Sequence, residues 1–221
     1  MKHRIIVGIT GASGIVYALN LLRALIRQPL EVHLIVTRDG GKVASHEMDQ
    51  EGRIAAILEK HFGAERHPHA RLVEHDANNF FAAPASGSFS HDGMVVLPCS
   101  MKTLAAVACG LAGNLLTRAA DICLKERRPL VLVPRETPLS RLHLENMLRV
   151  TKAGGIILPP APGFYHRPAT IDDLVKDQNI LMIAAEEKIL GYSHPLVGKL
   201  LAEKWNLPPK LVSVILHHHQ P

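Results

Sequence analysis

MVVLPCSMKTLAAVACGLAGNLLTRAADICLKERRPLVLVPRE, residues 94–136, reads as strand, turn, helix and strand. Met94–Leu97 is a short apolar run of the buried-strand type, Pro98–Lys102 a polar turn, and a helix of small residues follows. Pro129–Val133 is a second apolar strand, ending in Arg135 and Glu136. Two such strands joined by a helical crossover belong in a parallel sheet, and ligands of open α/β sheets bind beyond the carboxyl ends of the strands. Both polar segments therefore face one crevice. Arg118, Lys125, Arg127, Arg128 and Arg135 lie in or beside this stretch, and cations gathered near a crossover suit an anionic, phosphorylated ligand. Arg127 and Arg128 read as a solvated basic face, because charged side chains favour water. Arg135 differs: it follows a strand directly and sits beside Glu136, where chemistry is usually placed.

Upstream, Arg4–Ile9 is a continuous Ile/Val-rich run, the pattern of a central parallel strand, and it ends in GITGASG. Gly8, Gly11 and Gly14 permit a tight turn, Ser13 is placed to cap the next helix, and Ile15–Ile26 has helical apolar spacing. A phosphate suits that helix N-terminus, where free N–H groups and the positive dipole end converge. The spacing is neither GxGxxG nor a Walker loop, which lowers the case for NAD or ATP; a glycine turn of this kind is also compatible with a purely structural role. Glu31–Val36 reads as the second strand with Thr37 at its carboxyl end, and 41–62 as one helical region carrying Glu47, a surface residue by composition. His61, His67, His69 and His75 lack the HExxH spacing of a helical zinc site and read as loop and surface residues. The segment from Asn78 to Gly93, with Phe80, Phe81 and Ser86, is a loop long enough to expect function.

Downstream, 139–147 reads as a helix opened by Ser140, and Ile156–Leu158 as a short strand. PPAPGFYHRP is a stiff, aromatic loop suited to walling an apolar substrate, and Thr170 with Asp173 opens another helix as a capping pair. Asp172-Asp173 is better explained by that cap than by a magnesium-binding diphosphate motif.

The chain has 221 residues, 47% of them hydrophobic, enough for a full core. A net charge of +5, dispersed and not interleaved with aromatics, does not suggest nucleic-acid binding. Three cysteines without CxxC spacing point away from a disulfide framework or zinc ribbon and toward a reducing cytoplasm. The N-terminus runs straight into a strand and no stretch of some 18 apolar residues occurs, so neither export nor a membrane span is expected.

GITGASG, APASGSF, MVVLPCSMKTLAA, LLTRAAD, LKERRPLVLVPRETPLS, HLENML and PPAPGFYHRP, in this order, resemble the UbiX-type flavin prenyltransferases from the N-terminus to about Val175. The resemblance implies a flavodoxin-like or Rossmann-like three-layer α/β fold with a parallel sheet, extending over 1–178. It also implies a homo-oligomer, typically a dodecamer, with sites at subunit interfaces. The implied reaction joins the dimethylallyl group of dimethylallyl monophosphate to N5 and C6 of reduced FMN, without a metal. The product would serve UbiD-type decarboxylases, in quinone synthesis or in aromatic-acid breakdown. By the same resemblance Gly11, Ala12, Ser13, Thr37, Ser86, Ser100, Met101, Lys102 and Arg135 hold FMN. Arg118, Lys125 and Arg135 would meet the leaving phosphate, Tyr165 would lie beside it, and Glu47 and Glu136 would be the active-site acids, with Glu136 moving the proton. Flavin-dependent cysteine decarboxylases share the wider superfamily but use a histidine near the first helix, and Gly14–Tyr17 contains none.

One position departs from the pattern. The arginine that binds the prenyl phosphate is replaced by Leu181, and from about Glu186 the chain resembles part of an HDOD or HD-like helical domain. Residues 179–221 therefore read as a helical tail of separate origin. The alternative this raises is an FMN-binding module with impaired catalysis.

Overall fold

The computed structural model describes residues 3–161. Tyr165, Leu181, the capping pair at Thr170 and the 178/179 boundary lie outside them. Six parallel strands form one sheet in the order β3-β2-β1-β4-β5-β6. They are β1 (Arg4–Ile9), β2 (Glu31–Val36), β3 (Arg71–Asp76), β4 (Gly93–Cys99), β5 (Leu130–Pro134) and β6 (Ile156–Ile157). The crossovers carry α1 (Ile15–Ile26), α2 (Arg38–Met48), α3 (Ile54–Phe62), α4 (Met101–Ala108), α5 (Leu115–Lys125) and α6 (Arg141–Lys152). This is the three-layer fold expected from the sequence.

Alternate residues of the central strands feed opposite layers. Val7, Ile9 and Leu34 pack with Ile15, Ala18 and Leu22 of α1. Ile6, Ile35 and Met94 pack on the other face with Leu116, Ala119 and Cys123 of α5. Both faces are covered, so the inner strands are mostly apolar, with His33 of β2 a buried exception. The edge strand β3 is not: its residues are exposed or half-buried, with no fully buried position, so RLVEHD carries no apolar run. No strand is expected here from the sequence, which puts His75 among loop and surface residues.

Other boundaries differ for local reasons. The helical region 41–62 is two helices, because Asp49 ends α2 in a left-handed conformation (φ 50°) and Gly52 follows at φ 127°. The crossover in 94–136 is likewise split into α4 and α5 at Gly110, φ 68°. The second of those helices starts at a reciprocal cap between Asn114 and Thr117, and α6 at one between Ser140 and His143.

His75 is no loop residue. It lies on β3, where its Nε2 is 2.8 Å from Nδ1 of buried His33 on β2, the rings stacked with planes 8° apart. His33 Nε2 meets Glu31 at 2.9 Å, and Phe89 packs edge-on against the His33 ring. Burial, assisted by the charge of His33, lowers the His75 pKa below its ordinary 6.5. Burial lowers that of His91 as well, with Arg128 adding to the effect against the Gly93 carbonyl. For such groups the unfolded chain binds protons more readily than the folded one, so their contribution is complete above pH 6.5 and is lost as pH falls through the folded values. Urea midpoints measured from pH 7.5 down to 5 are expected to fall, and the fall should be smaller in His75→Phe.

Candidate active site at the strand carboxyl ends

The sheet order reverses direction between β1 and β4, and a crevice opens there at the carboxyl edge. A cavity of about 600 Å³ lies along this edge, within the range of small-molecule sites. Gly11 follows β1, Val36 and Thr37 end β2, Asp76 and Asn78 end β3, and Ser100, Lys102 and Thr103 follow β4. Four strand ends thus share one hollow.

Each side chain is placed by its helix start. Thr37 caps α2, accepting from the Gly40 N–H at 3.1 Å and donating to the Ile9 carbonyl. Ser100 caps α4, accepting from the Thr103 N–H at 3.3 Å. Lys102 reaches across to Asp39 at 3.9 Å with both ends in solvent; such an exposed pair contributes little to stability. Thr10, buried at the end of β1, donates to the Pro98 carbonyl at 2.9 Å and accepts from the Ser100 N–H at 2.7 Å. Met101 points into the core instead of the hollow.

The first helix does not start as expected. Its N-cap is Gly14, with no cap from Ser13. The anion at this helix end is the carboxylate of Glu47, which accepts from the N–H of Gly14 at 3.1 Å and of Ile15 at 2.9 Å. Partial burial raises its pKa, but hydrogen bonds from Ser13, Ile15 and Gly14 and the charge of Arg135 outweigh it and hold the acid below its ordinary range. Glu47 is therefore not a free surface residue, and the place suited to a phosphate holds a side chain of the protein itself.

The remaining candidates divide into two groups. Arg135 and Glu136 follow β5, the Arg135 N–H facing the Cys99 carbonyl at 3.4 Å and the Glu136 carboxylate accepting from the Thr137 N–H at 3.0 Å. Arg118 and Lys125 lie along α5 beside the loop that carries Ser86. Arg118 pairs with Asp121 at 3.0 Å and contacts the Ala85 carbonyl, while Lys125 pairs with Glu126. Among the described residues neither cation lines the cavity. Arg128, read from the sequence as solvated, is half-buried and donates to the carbonyls of Phe89 at 2.6 Å and Gly87 at 2.8 Å. It pins the Ser86 loop.

Sequence reasoning missed Thr10, Asp39, Asp76, Asn78 and Thr103. The strand run of β1 hid Thr10 and the unread β3 hid Asp76, while Asn78 was covered only as the start of the 78–93 loop. Thr103 alone carried a usable signal, three residues after a capping Ser100. Burial pushes the Cys99 and Cys123 thiols up to about 12, so neither is a thiolate nucleophile near neutral pH.

The mixed lining fits a flavin mononucleotide: Val36 and Ala77 give apolar surface, Lys102 and the threonine and serine hydroxyls give polar partners, and Gly11 leaves the turn bare. A Cβ on Gly11 would lie 2.7 Å from that of Asp39. Fold and crevice together define a doubly wound α/β protein that takes a nucleotide-like ligand at its switch point. Residues 1–186 match the Flavoprotein family model, and 161–221 match that of the HDOD domain. Flavin prenyltransferase UbiX of Alkalihalophilus pseudofirmus is 48% identical over 86% of this chain and 92% of its own length. The crystal structure of AnUbiX (PadA1) in complex with FMN and dimethylallyl pyrophosphate superposes with a TM-score of 0.74. The two are 41% identical over 83% of this chain and 92% of that one. A dodecameric FMN-dependent UbiX-like decarboxylase from Escherichia coli O157:H7 gives a TM-score of 0.71 at 40% identity, over 87% and 96%. The chain belongs to the Flavoprotein family and, within it, to the flavin prenyltransferases.

Gly11→Ala is expected to lower stability by about 1–3 kcal/mol, the usual cost of overpacking a tight contact, as read from urea unfolding. Gly41→Ala, with open space at its Cβ, is the control.

Proposed function

We infer that this chain is an active flavin prenyltransferase, joining the dimethylallyl group of dimethylallyl monophosphate to N5 and C6 of reduced FMN. The observation that carries the reading is the convergence of the GASG turn, the Ser100–Lys102 segment and Arg135–Glu136 at one sheet edge, in a chain 48% identical to a flavin prenyltransferase. Impaired catalysis gains no support from such relatives, and Leu181 lies outside the described residues. Reduced FMN supplies the two nucleophilic positions when bound.

The protein's own residues do the rest. Gly11, Ala12, Ser13, Thr37, Ser100 and Lys102 hold FMN at the switch point, with Ser86, Arg135 and the main chain of Met101 completing the set by resemblance. Arg118, Lys125 and Arg135 neutralise the phosphate as it departs, the role of preorganised cations, and Tyr165 lies beside it by resemblance. Glu136 takes up the proton, and its exposed carboxylate at the end of β5 is free to meet a ligand from the crevice. Glu47 keeps the first helix end charged and ordered.

The separation of Arg118 and Lys125 from the cavity supports a site completed across a subunit interface. Leu142, Leu144 and Leu148 of α6 are exposed, as apolar surface awaiting a neighbour would be, so the working form is a homo-oligomer, a dodecamer by analogy with the E. coli structure. The recipient of the product is a UbiD-type decarboxylase. Three free cysteines favour the cytoplasm, and no described helix is long and apolar enough to cross a membrane.

Anaerobic incubation with reduced FMN and dimethylallyl monophosphate, followed by mass spectrometry of the released flavin, tests the activity. A gain of one C5 prenyl unit is expected; unmodified FMN from protein that binds it would reject the reading. Glu136→Gln should retain FMN and lose turnover by about 10²–10⁴-fold, the range for a lost general base, and full turnover would remove Glu136 from the role.

A further inference from the structure

We propose that Thr10 is a positioning residue for flavin binding, its buried hydroxyl setting the distance between the two turns that hold the cofactor. The inference rests on the crevice being the FMN site.

The β1–β4 ladder runs in register from Ile5↔Gly93 to Gly8↔Val96. Beyond that point the regular β1–β4 pairing ends, and the register of β4 against β5 shifts between Val96 and Cys99. Thr10 joins β1 and β4 just past the end of that pairing. Its backbone N–H and its hydroxyl both donate to the Pro98 carbonyl, at 3.2 and 2.9 Å, and the hydroxyl oxygen accepts from the Ser100 N–H at 2.7 Å. Its own carbonyl accepts from the Ala12 N–H at 2.8 Å and so closes the GASG turn. One residue thereby fixes the backbone of Gly11–Ser13 against that of Ser100, the cap of α4.

The hydroxyl is 1% exposed with the rest of the residue, so it is used within the protein and touches no ligand. A hydroxyl donates once and accepts as well, and both capacities are spent on the two turns. Valine has the same shape and neither capacity. Serine has both.

Thr10→Val should therefore weaken FMN binding by about tenfold, the equivalent of losing one to two hydrogen bonds' worth of positioning, and raise KM for FMN in parallel. KM for dimethylallyl monophosphate should not follow, and Thr10→Ser should restore wild-type FMN affinity. Flavin fluorescence titration of the folded protein reads the affinity, with thermal midpoints taken without FMN. A role in stability alone would lower the midpoint and leave FMN affinity within twofold of wild type, and that result overturns the proposal. Thr10→Ala provides a second hydroxyl-free variant should Thr10→Val not fold, with the same criterion. Wild-type protein that binds no FMN would overturn this proposal and the functional reading together. Wild-type protein that makes prenylated flavin beside an unaffected Thr10→Val would overturn this proposal alone.

Discussion

Every strand of the sheet runs in the same direction, and each crossover must therefore return over a face before the next strand begins. That constraint gathers all the strand-to-helix turns at one edge. The chain winds outward from β1 through β2 to β3, then comes back to start β4 on the other side of β1. Helices leaving β1 and β4 consequently go to opposite faces, and none of the described helices covers the edge between them. The crevice follows from the winding order alone, and the chemistry is what the turns bring to it.

An open edge needs reinforcement, and the polar interior supplies it. The Thr10 hydroxyl ties β1 to β4 where the ladder stops, Thr37 holds its turn to the end of β1, and the Glu47 carboxylate closes the end of α1. Arg128 does the corresponding work for the long loop before β4 by satisfying two carbonyls that lack strand partners. A buried carbonyl without a donor is costly, and a guanidinium with several N–H groups is an economical way to satisfy two of them. Charge in this protein is often used on the backbone before it reaches any ligand.

Much of this was legible beforehand. Arg4–Ile9, Ile15–Ile26 and Glu31–Val36 stand in the structure where their apolar periodicity put them, because central strands and a packed helix must be apolar at most buried positions. Motifs around Gly11, Thr37, Ser100 and Lys102 were likewise visible, since turns at strand ends need glycine, serine and threonine for conformational and capping reasons. The edge strand β3 was not visible, because one side of it faces water and its pattern is broken by Glu74 and His75. Helix breaks at Asp49 and Gly110 were missed, as apolar spacing continues on both sides of each.

Fold class and family are written in the sequence alone, because they depend on local patterns and on motifs contiguous in the chain. Partnership was decided only in the tertiary structure. Glu47 joins α1 across 32 residues to Ile15, Thr10 meets Ser100 across 90, Arg128 holds Phe89 across 39, and His33 stacks on His75 across 42. Hydrogen bonds and burial act over a few ångströms of space, and chain separation carries no record of which groups folding will bring that close.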